Sequence, residues 1–397
     1  MARRPGTPRL LRELNDRAAL ELLIGEGPLT RAQIGDRTGL SKVTASQLLA
    51  RLEERGLVEV VGEQAGGRGP NAALYGVVPS AAFVAGLEVG PDAVIAGIAD
   101  ITGAERARAT VALDGGADPV ASVHAAVAKA SLLAKVPVAQ LHACVIGTPG
   151  VVDPRTGDVR FAFDLPAWHE GVLAGLRDDL GRPVLIENDV NLVAVAERAR
   201  GAARDVEDFA LVWIDRGIGL AVMMGDRLHR GVSGGAGEIG YLPVPGAALP
   251  EGVTESVTYK QPALAGGFGS LVSADAVAAL AAEHGMPGKS ALEAVADAAA
   301  DDTGASAAFL DALATRLALG VAAVNIVLDL GLVVVTGALG AAGGTPLARR
   351  IEHAVARISP TRPNVVPGRV TTTPVLQGAL DTAVAHAREE VFSTTTD

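Results

Sequence analysis

The sequence predicts an α/β protein: a small helical head closed by a β-hairpin, then a larger body built from two related lobes. Three patterns predict this. Before residue 80, apolar residues recur at helical spacing and then give way to two short β-type runs. After residue 81, buried-type strands alternate with helices, the pattern of mixed sheets covered on both faces. Within that body a strand–turn–strand unit occurs first at Phe83 and again at Phe209, which points to a duplicated α/β lobe rather than a tandem solenoid. The length of 397 residues agrees, being too long for one ordinary core. Hydrophobic residues at 49% and charged residues at 20% make a globular composition able to bury large cores.

In the head, Leu10, Leu11, Leu14, Ala18 and Leu22 recur at helical spacing between Leu10 and Ile24, and are expected to face the core. Thr30-Arg31-Ala32-Gln33 has the form of a capping box, so a second helix should start at Thr30 and run to Thr38, with Gly39 supplying a sharp turn. Ser41 caps a third helix whose apolar stripe is Ala45, Leu48, Leu49 and Leu52, and Gly56 ends it. Leu57–Val61 reads as a strand, 62–69 as a loop, and Ala73–Val77 as a second strand. Helix, helix, turn, helix and hairpin is the order of a winged helix-turn-helix DNA reader. Away from the stripe of the third helix lie Val43, Ser46 and Gln47, with Ser41, Lys42 and Thr44 at its start; the polar members suit base edges in a major groove. Arg51 and Arg55 sit further back, where phosphate contact is expected, and Arg68 in the wing is positioned for a minor groove.

Charge is distributed in keeping with this. The net charge of −11 opposes nucleic-acid binding by the whole chain. Residues 1–80, however, carry 11 Lys and Arg against 9 Asp and Glu, whereas the rest carry 23 against 36. DNA contact is therefore expected of the head alone. The single cysteine, Cys144, excludes an intramolecular disulfide and a multi-cysteine zinc site, and its apolar neighbours suggest a small buried hydrophobe. No secretory leader pattern opens the chain and no uninterrupted apolar run reaches the ~18 residues of a membrane span, so a cytoplasmic protein with no membrane partner is expected.

In the body, strands are expected at Phe83–Val89 and Ala93–Ala99 around the turn Gly90-Pro91-Asp92, and at Phe209–Ile214 and Ile218–Met224 around Asp215-Arg216-Gly217. Further strands fall at Leu141–Gly147, Val184–Glu187 and Gly331–Thr336. Helices fall at Pro119–Leu133, Val190–Arg200 and Ala305–Leu330. Four segments are specific. Ile146–Asp153 reads I-G-T-P-G-V-V-D, and Phe161–Trp168 reads F-A-F-D-L-P-A-W. Ile186–Asn191 reads I-E-N-D-V-N, and Arg230–Gly240 reads R-G-V-S-G-G-A-G-E-I-G. Together they resemble the ROK family (repressor, open reading frame, kinase), in particular its branch with an N-terminal winged helix, over nearly the whole chain.

The resemblance implies a winged helix-turn-helix followed by a two-lobed actin-like or hexokinase-like (ribonuclease H-like) domain with ligand in the cleft. The domains would be a DNA-binding head over 1–62, wing and linker over 63–80, a first lobe over 81–205 completed by the helix 377–392, and a second lobe over 206–376. A hexose-like ligand is implied, with Asn188, Asp189 and Glu238 hydrogen-bonding its hydroxyls and Gly150 letting the backbone approach the ring. Asp164 stands where the family has Asn, and Tyr241 where zinc-containing members have His; Tyr241 offers a hydroxyl and a stacking face. In a kinase relative Asp189 would be the general base, and here it is the vestige of one.

The sequence departs from the family's kinases in its phosphate turns. Their D-x-G-G-T-K becomes Glu88-Val89-Gly90-Pro91-Asp92-Ala93: Pro91 removes an N–H donor, Asp92 puts a carboxylate where phosphate would lie, and Ala93 removes the cation. Like charges a few ångströms apart oppose each other by about several kcal/mol at an effective dielectric near 20. Their G-T-G-I-G becomes Asp215-Arg216-Gly217-Ile218-Gly219, in which Arg216 partly offsets the acid. Residues 243–267 hold no Cys or His, so structural zinc is not expected, nor is any cofactor. Glu251 and Glu255 both remain open as substitutes for the family's last sugar-contacting Glu. The expectation is a non-enzymatic repressor of carbohydrate metabolism, a homodimer or homotetramer on operator DNA with a carbohydrate effector in the cleft. The alternatives are a sugar kinase with a DNA-binding appendage and an oligomerising body whose pocket is vestigial.

Overall fold

The computed structural model describes residues 8–65, 71–113, 118–160, 171–250 and 266–393. The head contains the helices Pro8–Glu26, Arg31–Thr38 and Lys42–Glu54, then the strands Val58–Gln64 and Ala72–Val77, with the short strand Leu29–Thr30 added to the hairpin's edge. Local signals set these elements. Gln33 donates its backbone N–H to Thr30 Oγ1 at 3.3 Å and accepts that of Thr30 at 2.8 Å, closing the capping box. Gly39 ends the helix with φ +71°. Ser41 caps the third helix through the Thr44 N–H. The first wing strand runs past Val61 to Gln64, with a register shift between Val60 and Gly62, so part of the expected loop 62–69 is paired.

The inward face of the first helix differs from the expected stripe. Leu10, Leu11 and Leu14 are about half exposed, Ala18 is exposed and Leu22 half-buried, while Asp16, Ala19, Leu20 and Leu23 face the core. Both faces fit helical spacing, and a buried carboxylate decides between them. Asp16 is 2% exposed and takes a hydrogen bond from Arg51 Nη2 at 2.6 Å, with Arg55 Nη1 at 4.0 Å. A hydrophobicity pattern counts Asp16 against the face it actually marks.

The body holds two five-stranded sheets of one topology. In the first lobe the order is Glu105–Ala112, Ala93–Asp100, Phe83–Val89, Leu141–Thr148, Val184–Asn188. In the second it is Arg227–Leu228, Ile218–Met224, Phe209–Ile214, Leu332–Thr336, Asn364–Pro367. In each, the first three strands in chain order form an antiparallel meander and the last two run parallel to the first. The duplication read from the two strand–turn–strand units is thus a duplication of whole sheets, and the fold is the two-lobed one expected. Cys144 is buried in the first sheet, where desolvation pushes its thiol up to about 12. The helix Gly304–Leu328 is long and apolar enough to cross a membrane, but Phe309, Leu310, Leu313, Leu317 and Val321 are buried in the second lobe's core.

The C-terminal helix Pro374–Ser393 lies on the first-lobe sheet and against the helix Asp189–Arg200. The approach is close: a Cβ on Gly378 would stand 1.8 Å from the Leu192 carbonyl oxygen. At its far end the helix meets the head, where Arg55 Nη2 donates to the Val391 carbonyl at 2.6 Å and Phe392 is buried. One continuous core therefore runs from Leu20 and Leu48 in the head, through Ala383 and Leu380, to Leu192 and Leu211 in the two lobes.

Candidate functional site

The parallel strands of the first lobe end at Val89, Thr148 and Asn188, and ligands of α/β sheets gather at such carboxyl ends. Asn188 caps the helix Asp189–Arg200: its Oδ1 accepts the Asn191 N–H at 3.1 Å, and its Nδ2 donates to the Gly150 carbonyl at 3.0 Å. Gly150, at φ +103°, is thereby tied to the helix start. Asp189 is the first residue of the helix and accepts the Val190 N–H at 2.8 Å. It opens partly onto the cleft, yet protein atoms crowd its carboxyl. That burial, with the like charges of Glu88 and Asp215, pushes it up to about 6.

From the second lobe, Glu238 faces the same space from the start of the short turn Ile239–Tyr241. Glu238 is exposed at the cleft, yet protein atoms around its carboxyl raise it, helped by the charge of Asp189; the same crowding raises the Tyr241 hydroxyl, helped by the charge of Glu238. Asn188, Asp189, Gly150, Glu238 and Tyr241 are therefore brought together. Carboxylates, an amide and a phenol converging at a cleft offer paired donors and acceptors, as polyol hydroxyls require. Asp164, the remaining predicted contact, lies outside the described residues, as does Arg68 of the wing.

Glu187 plays a different part from its neighbours. It is 8% exposed and accepts from Asn191 Nδ2 at 2.8 Å, the Asn188 N–H at 2.9 Å and Arg230 Nε at 2.6 Å. Arg230 belongs to the second lobe's glycine-rich loop, so this pair fastens one lobe to the other beside the cleft groups. Gly234 in the same loop is required by close approach: a Cβ there would stand 2.0 Å from the Val152 carbonyl oxygen of the first lobe. The motif Arg230–Gly240 by itself gives Arg230 no role, because its partner lies 43 positions away.

Gly90, Asp215 and Arg216 engage their N–H groups within the two phosphate-type turns. The Gly90 N–H closes its turn on the Ala93 carbonyl at 3.0 Å, with Pro91 and Asp92 exposed at the tip. The Asp215 N–H bonds the Gly217 carbonyl, and the Arg216 N–H bonds the Asp215 carboxylate, both at 2.9 Å. Glu88, at the strand end below the first turn, takes the Leu376 N–H at the start of the C-terminal helix. Burial raises its carboxyl, and its Oε2 has no hydrogen-bond partner. Among the described residues, no group of three or more His, Cys, Asp or Glu is arranged to hold a metal ion.

On the head, Ser41, Lys42, Val43 and Gln47 are exposed, with Thr44 and Ser46 half-buried at the N-terminal end of the third helix. The Thr44 hydroxyl is 2.8 Å from Ser41 Oγ, and Ser46 Oγ donates to the Lys42 carbonyl at 2.9 Å while accepting from Arg31 Nη1 at 3.1 Å. Arg31, whose place is set by this contact and not by a local motif, thus adds a cation to this face. Arg51, expected at phosphate, has its Nη2 bonded to buried Asp16 and its Nε enclosed without a partner. Arg55 is turned to the body through Val391.

Residues 84–385 match the ROK family, and residues 13–69 match the MarR family. The chain is 27% identical over 243 residues to the DNA-binding transcriptional dual regulator NagC of Escherichia coli (strain K12), covering 60% of this chain and 59% of that protein. To the xylose repressor of Bacillus subtilis (strain 168) it is 27% identical over 247 residues, covering 59% and 61%. The aligned region thus spans about three-fifths of the length of these curated relatives. A solved ROK family transcriptional regulator, a homologue of the E. coli MLC protein, superposes with a TM-score of 0.74 at 16% identity, over 96% of this chain and 99% of that one. A ROK family glucokinase from Streptomyces griseus, solved with glucose and AMPPNP, superposes with 0.59 at 23% identity, over 76% and 98%. At those identities both likenesses concern the fold alone. With its match running from residue 84 to residue 385, across both lobes and the cleft residues, this chain belongs to the ROK family.

Proposed function

We propose that the chain is a sugar-responsive transcriptional repressor. It reads operator DNA through Ser41, Lys42, Thr44, Ser46 and Gln47, with Arg31 at their side and Arg68 in the wing, and holds a carbohydrate effector at Gly150, Asn188, Asp189, Glu238 and Tyr241, with Asp164 closing the set. The observation that carries this reading is the contrast inside the cleft. The carboxylate and amide cluster suited to hydroxyls is assembled from both lobes, while in the two phosphate turns Pro91 offers no N–H and those of Gly90, Asp215 and Arg216 are engaged within the turns. The names of the relatives, an N-acetylglucosamine repressor among them and a xylose repressor, support carbohydrate as the effector class. The body then acts as a sensor without catalysis. Two copies on a two-fold operator, as a homodimer or homotetramer, would place paired reading helices in successive major grooves. Such a protein works in the cytoplasm, where its operator lies.

The boundaries that suit this reading are a head over 1–62, a wing and linker over 63–80, and lobes over 81–205 and 206–376, with the C-terminal helix returning to the first. That helix supplies a route for coupling. Sugar at Asp189 bears on the helix Asp189–Arg200, which is jammed at Leu192 against Gly378, and the same C-terminal helix holds the head through Val391. In gel-retardation assays with DNA from its own locus, the purified protein should shift a specific fragment and candidate sugars should change that shift. Indifference to all such DNA would end this reading.

A second reading, a sugar kinase with a DNA-binding appendage, is favoured by one observation: Asp189 sits at a general-base position with its carboxyl near 6. Sugar-dependent ADP production that disappears in Asp189→Asn would establish it.

A further inference from the structure

A second concavity lies at the opposite end of the first-lobe sheet from the sugar cleft. Two adjoining cavities of about 460 and about 420 Å³ share His142, Pro183 and Glu390 in their walls, a size typical of small-molecule sites. The strands Phe83–Val89, Leu141–Thr148 and Val184–Asn188 begin here and end on the side of the sheet where Asp189 lies, which separates the two places by roughly 20 Å.

The walls carry chemistry. The sheet side contributes His142 and Arg182, and in the second cavity Arg177, whose Nε is fixed on the Val184 carbonyl at 3.2 Å. Arg182 Nε and His142 Nδ1 are both enclosed without a hydrogen-bond partner. Native proteins leave few such atoms, because an unmet buried donor costs about 1–3 kcal/mol and more when charged. Arg182 Nε lacks an acceptor, and His142 in the same wall adds a second N–H when its Nδ1 carries the proton; a guanidinium with such a donor is a cradle for carboxylate or phosphate oxygens. The opposite wall, from the C-terminal helix, carries His386, Glu389 and Glu390. The Glu389 carboxylate repels a second negative charge and attracts hydroxyl or ammonium donors. The walls therefore select a small molecule with an anionic head toward Arg182 and a donor-bearing tail toward Glu389.

Its place gives it leverage. Ser80, in the link Pro79–Ala81 that leaves the head, lines one cavity, and Glu390 adjoins Val391, whose carbonyl holds Arg55 of the head. We infer that this groove is a second effector site, for a small metabolite bearing a carboxylate or phosphate, which acts on the head from its hinge independently of the sugar cleft. The binding stands by itself; its consequence for DNA rests on the repressor reading above.

Calorimetric titration of the full chain at constant chloride separates the two, since it needs no operator. Inorganic phosphate and lactate, a monocarboxylate with a hydroxyl donor, are the probes, and they decide which anion the cradle prefers. At least one should bind saturably. Arg182→Gln should weaken that binding about tenfold, as expected for one lost charge-assisted hydrogen bond. Glu389→Gln should tighten it, a gain that misfolding cannot imitate, and Asp189→Asn should leave it unchanged. No saturable binding of either anion, or binding that survives Arg182→Gln and falls in Asp189→Asn, overturns the inference.

Discussion

Replacing Arg51 by Ala separates the structural reading of that residue from the phosphate-contact reading. Asp16 is 2% exposed and its strong partner is Arg51 at 2.6 Å, with Arg55 left at 4.0 Å and mostly committed to Val391. Breaking one side of a buried pair costs about 3–5 kcal/mol because the remaining charge is stranded. The Arg51 side chain is 35% exposed, so water softens the loss, and about 2–3 kcal/mol of head stability is the expected magnitude. Hydrogen exchange of amides in the helix Arg31–Thr38 reads this locally, and should accelerate roughly 30- to 150-fold. Adding Asp16→Asn to the same protein should recover a large part of the loss, since the stranded charge is gone. If exchange stays at its original rate while operator affinity falls and its salt slope shrinks by about one, Arg51 is a phosphate ligand and the ion-pair argument fails.

Three further outcomes are expected. Asp189 titrates near 6 in the fold against 3.8 ordinarily, so the fold favours its protonated form; the stability it contributes is complete below about pH 4 and lost as pH rises through 6. The full shift corresponds to about 3 kcal/mol, and its opening onto the cleft reduces this to about 1–2, so Asp189→Asn should raise the urea midpoint of the ligand-free protein at pH 7.5 by more than at pH 4. Gly378→Ala drives a methyl into the Leu192 carbonyl, which is backbone and cannot swing away; about 3 kcal/mol of destabilisation should appear in thermal unfolding, whereas the exposed Gly285→Ala position provides a strain-only comparison. Lys42→Ala should weaken operator binding and lower its salt slope by about one, leaving calorimetric sugar affinity unaltered; equal loss of both would mean that head and body are misassigned.

How much could be read in advance follows the range of the physics. Thr30 with Gln33, Ser41 with Thr44, and the strand runs at Phe83 and Phe209 are contacts between near neighbours, and each element appeared where its local signal lay. The meeting of Asn188, Asp189 and Glu238 at the cleft was legible too, though only as the family's motif and not as a geometry. Long-range pairing was not legible. The core face of the first helix turns on Asp16 meeting Arg51, 35 positions away, and the tie between the lobes turns on Glu187 meeting Arg230, 43 positions away.

The amino-acid sequence alone determined the order of elements, the duplicated strand–turn–strand plan and the altered phosphate turns, because propensity, capping and the presence of an N–H act within a few residues. Only the tertiary structure decided which helix face is buried, which arginines are engaged, how acidic Asp189 is beside Glu88 and Asp215, and that one C-terminal helix touches both cleft and head. Those depend on burial and on charges brought together through space, and neither exists until the chain has folded.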